Sequence, residues 1–156
     1  KSLNLNNKIC IIDHAGHTSQ FDLAITLAKN NHNVIFAYTK NLSTPNANFQ
    51  KHKNLMIVPI ELGKNFNKYN YFIRVVDEIR LGFLQVKLIK RTMPFIVQSA
   101  NNPLLSQFLL AIYCRFKKIL FINWITDLLG VGIKKTLKRK NLDKCLKLEN
   151  QLRPRF

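Results

Sequence analysis

The chain has 156 residues, 47% of them apolar, and 25 Lys and Arg against 8 Asp and Glu give a formal charge of +17. That is the length of one domain able to bury about 70% of its unfolded surface, and the apolar content excludes wholesale disorder. The charge points to an anionic neighbour (nucleic acid, a phosphorylated substrate or an anionic membrane surface), although 18 Asn with much Lys, Ile and Phe also fit an A+T-biased coding sequence.

Lys8 to Ile12 is a continuous apolar run, as expected of a strand covered on both faces. The polar loop DHAGHTSQ follows, bending at Ala15-Gly16, and Thr18 or Ser19 can cap a helix with the apolar face Phe21, Leu23, Ala24, Leu27 and Ala28. That helix stops at Lys29 to Asn31, where Asn tolerates the left-handed cap conformation. Val34 to Tyr38 is the next strand, completing a βαβ unit.

A polar stretch from Thr39 to Asn54 reads as a long loop, and Leu55 to Ile60 is a third strand whose Pro59 places its end near a sheet edge. Tyr69 to Arg91 has helical period, with Phe72, Val75, Val76, Ile79, Phe83, Val86, Leu88 and Ile89 as its apolar residues. Pro94 closes it, and Phe95 to Ser99 is a fourth strand. Pro103 suits the first turn of a helix from Leu104 to Arg115. Ile119 to Trp124 is a fifth strand, expected to be buried with Trp124 as packing, and the last 25 residues are basic and weakly helical.

Strands alternating with helices predict an α/β fold: a Rossmann-like parallel sheet flanked by helices, with right-handed crossovers. Ligands gather at the carboxyl ends of such strands. Three polar segments lie there: Asp13 to Ser19, Ser99 to Asn102 and Thr126 to Gly130. Asp127 follows an apolar strand and serves either as a cleft base toward a hydroxyl or as a helix N-cap. The first loop offers His14, Gly16, His17 and Thr18, either as a cleft wall turning backbone N–H groups and a histidine to a sugar or phosphate, or as an ordinary turn with solvated histidines.

Cys10, Cys114 and Cys145 are widely spaced and read as buried free thiols of a reduced compartment. No apolar stretch approaches the roughly 20 residues of a membrane span, so a cytoplasmic protein is expected, at most peripheral on the inner face of the cell membrane. In the tail, Lys134, Lys135, Lys138, Arg139 and Lys140 interleave with leucines as in a basic amphipathic helix that contacts an anionic membrane surface, or as a plain solvated face. There is no Walker sequence, no dinucleotide fingerprint, no metal cluster and no aromatic platform for nucleic acid, so neither a cofactor nor a nucleic-acid partner is expected.

Four segments carry a family resemblance, beginning with the opening strand and its polar-glycine loop. LAKNNHNVIFAY (27–38) is similar to the LAxxGHxVxV segment of GT-B glycosyltransferases. SANNPLLSQFLLAIYCRF (99–116) looks like the strand end and helix that follow it, and NWITDLL (123–129) resembles the xxRDLWP segment. In order, they resemble the N-terminal, acceptor-side domain of a family-4-like sugar transferase of surface-polysaccharide assembly. Asn31 replaces the usual Gly, Thr126 the arginine of the Arg-Asp pair, and Leu129-Gly130 the Trp-Pro.

The resemblance implies one half of a GT-B architecture, with residues 1–133 as the acceptor domain and 134–156 as a tail at the site of a missing second domain. It also implies transfer without a structural metal. The acceptor would be a sugar on a polyprenyl-phosphate carrier, and the nucleotide-sugar donor would need a second domain or a C-terminal-half partner chain, because the paired-glutamate donor grip is missing. Asp127 and His14 become the candidate catalytic groups, with Gly16, His17, Thr18, Ser99, Asn101, Asn102 and Thr126 at the substrate. The alternatives are a non-catalytic module that recruits a donor-binding partner to the membrane and, on charge alone, a nucleic-acid-binding domain.

Overall fold

The computed structural model describes residues 8–40, 49–63 and 71–125. Five strands and three helices alternate: β1 Lys8–Asp13, α1 Thr18–Lys29, β2 Asn33–Thr39, β3 Leu55–Ile60, α2 Tyr71–Thr92, β4 Ile96–Ala100, α3 Leu104–Phe116 and β5 Leu120–Trp124. They belong to the first of two units, Lys1–Trp124. The expected boundary at 133/134 lies outside the described residues.

All strand pairs are parallel, in the order β3-β2-β1-β4-β5. The Rossmann-like α/β expectation therefore stands. Pro59 lies on an edge strand, where its missing N–H disturbs no central ladder. The chain moves outward on one side from β1 through β2 to β3, then crosses back to β4 beside β1. The strand order thus reverses between β1 and β4.

Alternation along the strands splits the core. Cys10, Ile12, Ile35, Ala37 and Val97 meet Leu81 and Ile89 of α2 and Leu110 and Cys114 of α3 on one face. Ile11, Val34 and Phe36 meet Phe21, Ala24, Ile25 and Ala28 of α1 on the other. Phe21, Phe36, Tyr38 and Phe49 form an aromatic cluster there, with an edge-to-face Phe21–Phe36 pair at 5.4 Å. Cys10 and Cys114 are buried free thiols; burial pushes both upward, Cys114 to about 11. Cys145 lies outside the described residues.

Helix ends follow local rules. After α1, Asn31 takes φ 63°, and the N–H groups of Asn31 and His32 return to the carbonyls of Ala28 and Leu27. Lys118 repeats this after α3 with φ 55°, its N–H and that of Ile119 returning to Arg115 and Cys114. Both are left-handed caps that satisfy the last carbonyls, as expected for Asn31.

Three expectations need correction. The start of α1 is not capped by Thr18 or Ser19: its N-cap is His17, and the carboxylate of Asp13 takes the His17 backbone N–H instead. The run at β5 is not a buried strand: β5 is the sheet edge, and Leu120, Ile122 and Trp124 are exposed. The apolar residues of α2 do not form one core face. Its buried side carries Asp77, Glu78, Leu81, Gln85 and Ile89, while Phe72, Val76, Ile79 and Phe83 are exposed.

That buried polar side is tied down. Glu78 accepts from Arg74 Nε at 3.0 Å and from the Leu105 N–H at 3.3 Å, placing a carboxylate at the N-terminus of α3 in place of a side-chain cap from Pro103. Ser106 Oγ donates to the Glu78 carbonyl at 2.6 Å. The two helices approach closely at Gly82, where a Cβ would stand 2.8 Å from Leu109 Cδ1 and 3.1 Å from Ser106 Cα. Gly82→Val is therefore expected to lower stability by about 1–3 kcal/mol through overpacking against the α3 backbone, as a fall in denaturation midpoint at unchanged slope.

Candidate functional site

β1 ends in Asp13, one residue further than the apolar run implies, and in register it lies between Tyr38 of β2 and Ala100 of β4. Asp13 has no exposed surface. A buried carboxylate must find donors, and it has them on both sides. Its Oδ2 accepts the His17 backbone N–H and lies 3.1 Å from His17 Nδ1. Its Oδ1 accepts from Asn101 Nδ2 at 3.3 Å. Asn101 follows β4 with φ 50°, a left-handed position that Asn tolerates, so its amide spans the gap between β1 and β4.

The turn that returns His17 to Asp13 depends on Gly16. It has φ 69°, donates its N–H to the Asp13 carbonyl at 3.2 Å and lies against the Tyr38 ring. A carboxylate accepts only, so Nδ1 of His17 is the donor in that contact. The Asn101 amide nitrogen, which gives one of its two hydrogens to Asp13, also lies 3.3 Å from Nδ1; with Nδ1 protonated toward the carboxylate, both nitrogens are donors and no hydrogen bond joins them. The His17 side chain is half-exposed, and with Nδ1 engaged by Asp13, Nε2 is the ring nitrogen left for a ligand. This is a carboxylate-held imidazole, a group suited to taking a proton from a hydroxyl.

Asp13 also decides what the loop can bind. The N-terminus of α1 would otherwise attract a phosphate. Here the Asp13 carboxylate takes the N–H of the N-cap residue His17 and places a negative charge beside that helix end, which opposes an anion there and favours an uncharged polar ligand.

Each residue singled out from the sequence can now be placed. His17 and Asn101 are joined through Asp13. His14 is mostly buried, with Nδ1 2.9 Å from Thr39 Oγ1 and its backbone bridging Ala100 and Thr39. Burial lowers its pKa to about 4 despite the opposing pull of Asp13 and Glu78, which favours the neutral imidazole.

Ser99 is fully buried and donates to Gln107 Oε1 at 2.5 Å. Asn102 is paired both ways with the buried Gln85 at 2.8 Å, locking the β4–α3 loop onto α2. Both therefore support the site from beneath. Thr18 is exposed on the first turn of α1 and borders an open groove of about 390 Å³ running along the outer side of that helix, which none of the Asp13 cluster lines. Thr126, Asp127 and the basic positions Lys134, Lys135, Lys138, Arg139 and Lys140 lie outside the described residues. Among the described residues, no three metal-ligating side chains gather and no helix is long and apolar enough to cross a membrane.

Asp13 is the residue that sequence reasoning missed. The available signal was an acid four positions before a histidine where a strand turns into a helix.

No protein-family model matches this chain, and no curated protein matches it. Solved structures do. Two structures of the C-terminal domain of the PF1911 hydrogenase from Pyrococcus furiosus match over 76% of this chain and 92% or 90% of theirs, with TM-scores of 0.60 and 0.56 and identities of 11% and 12%. A UDP-galactose 4-epimerase structure matches 74% of this chain and 54% of its own at 9% identity, with a TM-score of 0.45. At 11–12% identity the likeness to the hydrogenase domain is one of fold, the parallel Rossmann-like sheet, and carries no activity.

His14 makes stability pH-dependent. Its folded pKa lies below the ordinary 6.5, so as pH falls the unfolded chain takes up this proton first. Stability present above pH 6.5 is expected to decline between 6.5 and about 4, by on the order of 3 kcal/mol. In denaturant titrations across that range, His14→Asn should flatten the decline.

Proposed function

We propose that this domain is the acceptor-binding half of a nucleotide-sugar-dependent glycosyltransferase, and that Asp13 and His17 are its proton-accepting pair. The observation that carries the reading is the buried carboxylate holding a half-exposed imidazole where the strand order reverses, the usual ligand crevice of an open parallel sheet. The preference of this loop for an uncharged polar ligand fits the hydroxyl face of an acceptor sugar better than a donor diphosphate. The segment similarities at 27–38, 99–116 and 123–129 support the same assignment.

In this reading an acceptor hydroxyl sits against His17 Nε2, with the Asn101 amide beside it. As the hydroxyl oxygen bonds to the anomeric carbon, its proton passes to Nε2. The bond from that carbon to the donor phosphate oxygen breaks, and the nucleotide diphosphate leaves with the electron pair. Asp13 stabilises the imidazolium through Nδ1 and keeps the ring in the tautomer that leaves Nε2 open. The donor belongs to a second domain or partner chain, so turnover by this half alone is poor because proximity is lost.

The test is transfer in a reaction reconstituted with a donor-binding half. His17→Ala should lower the rate by about 10²–10⁴-fold, the range of a lost general base, and Asp13→Asn by a smaller factor. Acceptor affinity should change little in both. The reading fails if His17→Ala transfers at the wild-type rate. It fails as well if alkyl hexosides leave the backbone resonances of Asp13, His17 and Asn101 unmoved.

A further inference from the structure

We infer that the outward face of α2 and α3 is a docking surface for an anionic lipid bilayer. The two helices lie side by side on the same side of the sheet and pack against each other at Gly82, beside Leu109 and Ser106. Their outer faces therefore form one layer. On α2 that layer carries Val76, Ile79 and Phe83, and on α3 Leu104, Phe108 and Phe116. Phe83 is 62% exposed, Phe108 61% and Phe116 82%. Phe83 directly follows Gly82 and Phe108 directly precedes Leu109, so an exposed ring of each helix adjoins the residues of the close crossing.

These positions carry the helical spacing of a core face, yet they point away from the core. The buried side of α2 is filled instead by Asp77, Glu78 and Gln85. An apolar stripe left outside while acids are taken inside calls for an external occupant.

Charge identifies the occupant. Between residues 71 and 118 there are eight Lys and Arg and only two acids, Asp77 and Glu78, both buried. On α2, Arg80 precedes Phe83 and Lys87, Lys90 and Arg91 follow it, all exposed, and Arg115, Lys117 and Lys118 stand at the end of α3 and just after it. The surface therefore offers phenylalanine and leucine side chains rimmed by cations with no exposed acid. A second copy of the chain would bring like charges together, which opposes self-association. A helical layer of this composition matches a bilayer whose acyl boundary receives the rings while anionic headgroups meet the cations. The inference is independent of the Asp13–His17 site, and its readout requires no turnover.

The experiment is flotation of the full chain with vesicles of phosphatidylcholine alone or with about 30 mol% phosphatidylglycerol, an anionic lipid that basic surfaces recognise. The chain is expected to float with the anionic vesicles only. The triple variant Val76→Ser, Phe83→Ser, Phe108→Ser should lower partitioning by about tenfold or more while keeping the wild-type circular dichroism spectrum. Arg80→Glu with Lys87→Glu should also weaken it, and that variant leaves the apolar packing untouched. Lys134→Ala, Lys135→Ala and Lys138→Ala together should retain the binding. The inference is overturned if the wild type does not float, or if the face variants float as well as the wild type while the tail variant does not. It is likewise overturned if sedimentation shows that the face holds two copies together, or if the face variants lose binding to single-stranded nucleic acid instead of to vesicles.

Discussion

A carboxylate with no access to water, Asp13, joins the parts of this domain that matter for function. It ends the central strand, receives the N–H of the α1 N-cap residue His17, fixes the His17 ring and takes the amide of Asn101 from the neighbouring strand's loop. Burying a carboxylate is costly unless its oxygens are satisfied, and donors from both sides of the strand-order reversal satisfy this one. The carboxylate charge beside the helix N-terminus opposes a phosphate there, and the imidazole it holds is half-exposed. Gly16 at positive φ, against Tyr38, makes the return turn geometrically possible.

The other side of the sheet solves a different problem with similar means. Glu78 and Ser106 tie α2 to the start of α3, and the Gln85–Asn102 amide pair fastens the loop after β4. These buried polar contacts set how the two helices lie together, with Gly82 permitting the close crossing. They occupy the inner side of α2, so several of its large apolar residues lie outside. Packing of α2 and the character of its outer face are thus one fact seen from two sides.

The central strands were legible because such a parallel strand is apolar on both faces, and the runs at Lys8 and Val34 have that form, while the Leu55 run is apolar yet lies at the edge with Pro59. The caps were partly legible: Asn31 takes its left-handed role, while Thr18 and Ser19 lost the helix start to an acid four residues before its N-cap. The orientation of α2 was not legible, because apolar residues lie nearly all round it and periodicity then cannot choose the inner side. At the candidate site the polar segments at the strand ends were legible and the side-chain pairings within them were not. Ser99 and Asn102 stand where polar loop residues of a ligand crevice stand, but their partners Gln107 and Gln85 come from helices, and no local pattern announces such pairs. Asp13 read as the first residue of a loop, whereas sheet register makes it the last residue of the strand.

The central claim is that Asp13 holds His17 through Nδ1 and leaves Nε2 open at the crevice. The most direct measurement is the tautomer of His17 by long-range proton–nitrogen correlation spectroscopy, at a pH where the ring is neutral. The account predicts a protonated Nδ1, a bare Nε2, and loss of that preference in Asp13→Asn. A protonated Nε2 in the wild type, or a tautomer mixture indifferent to Asp13→Asn, would contradict it.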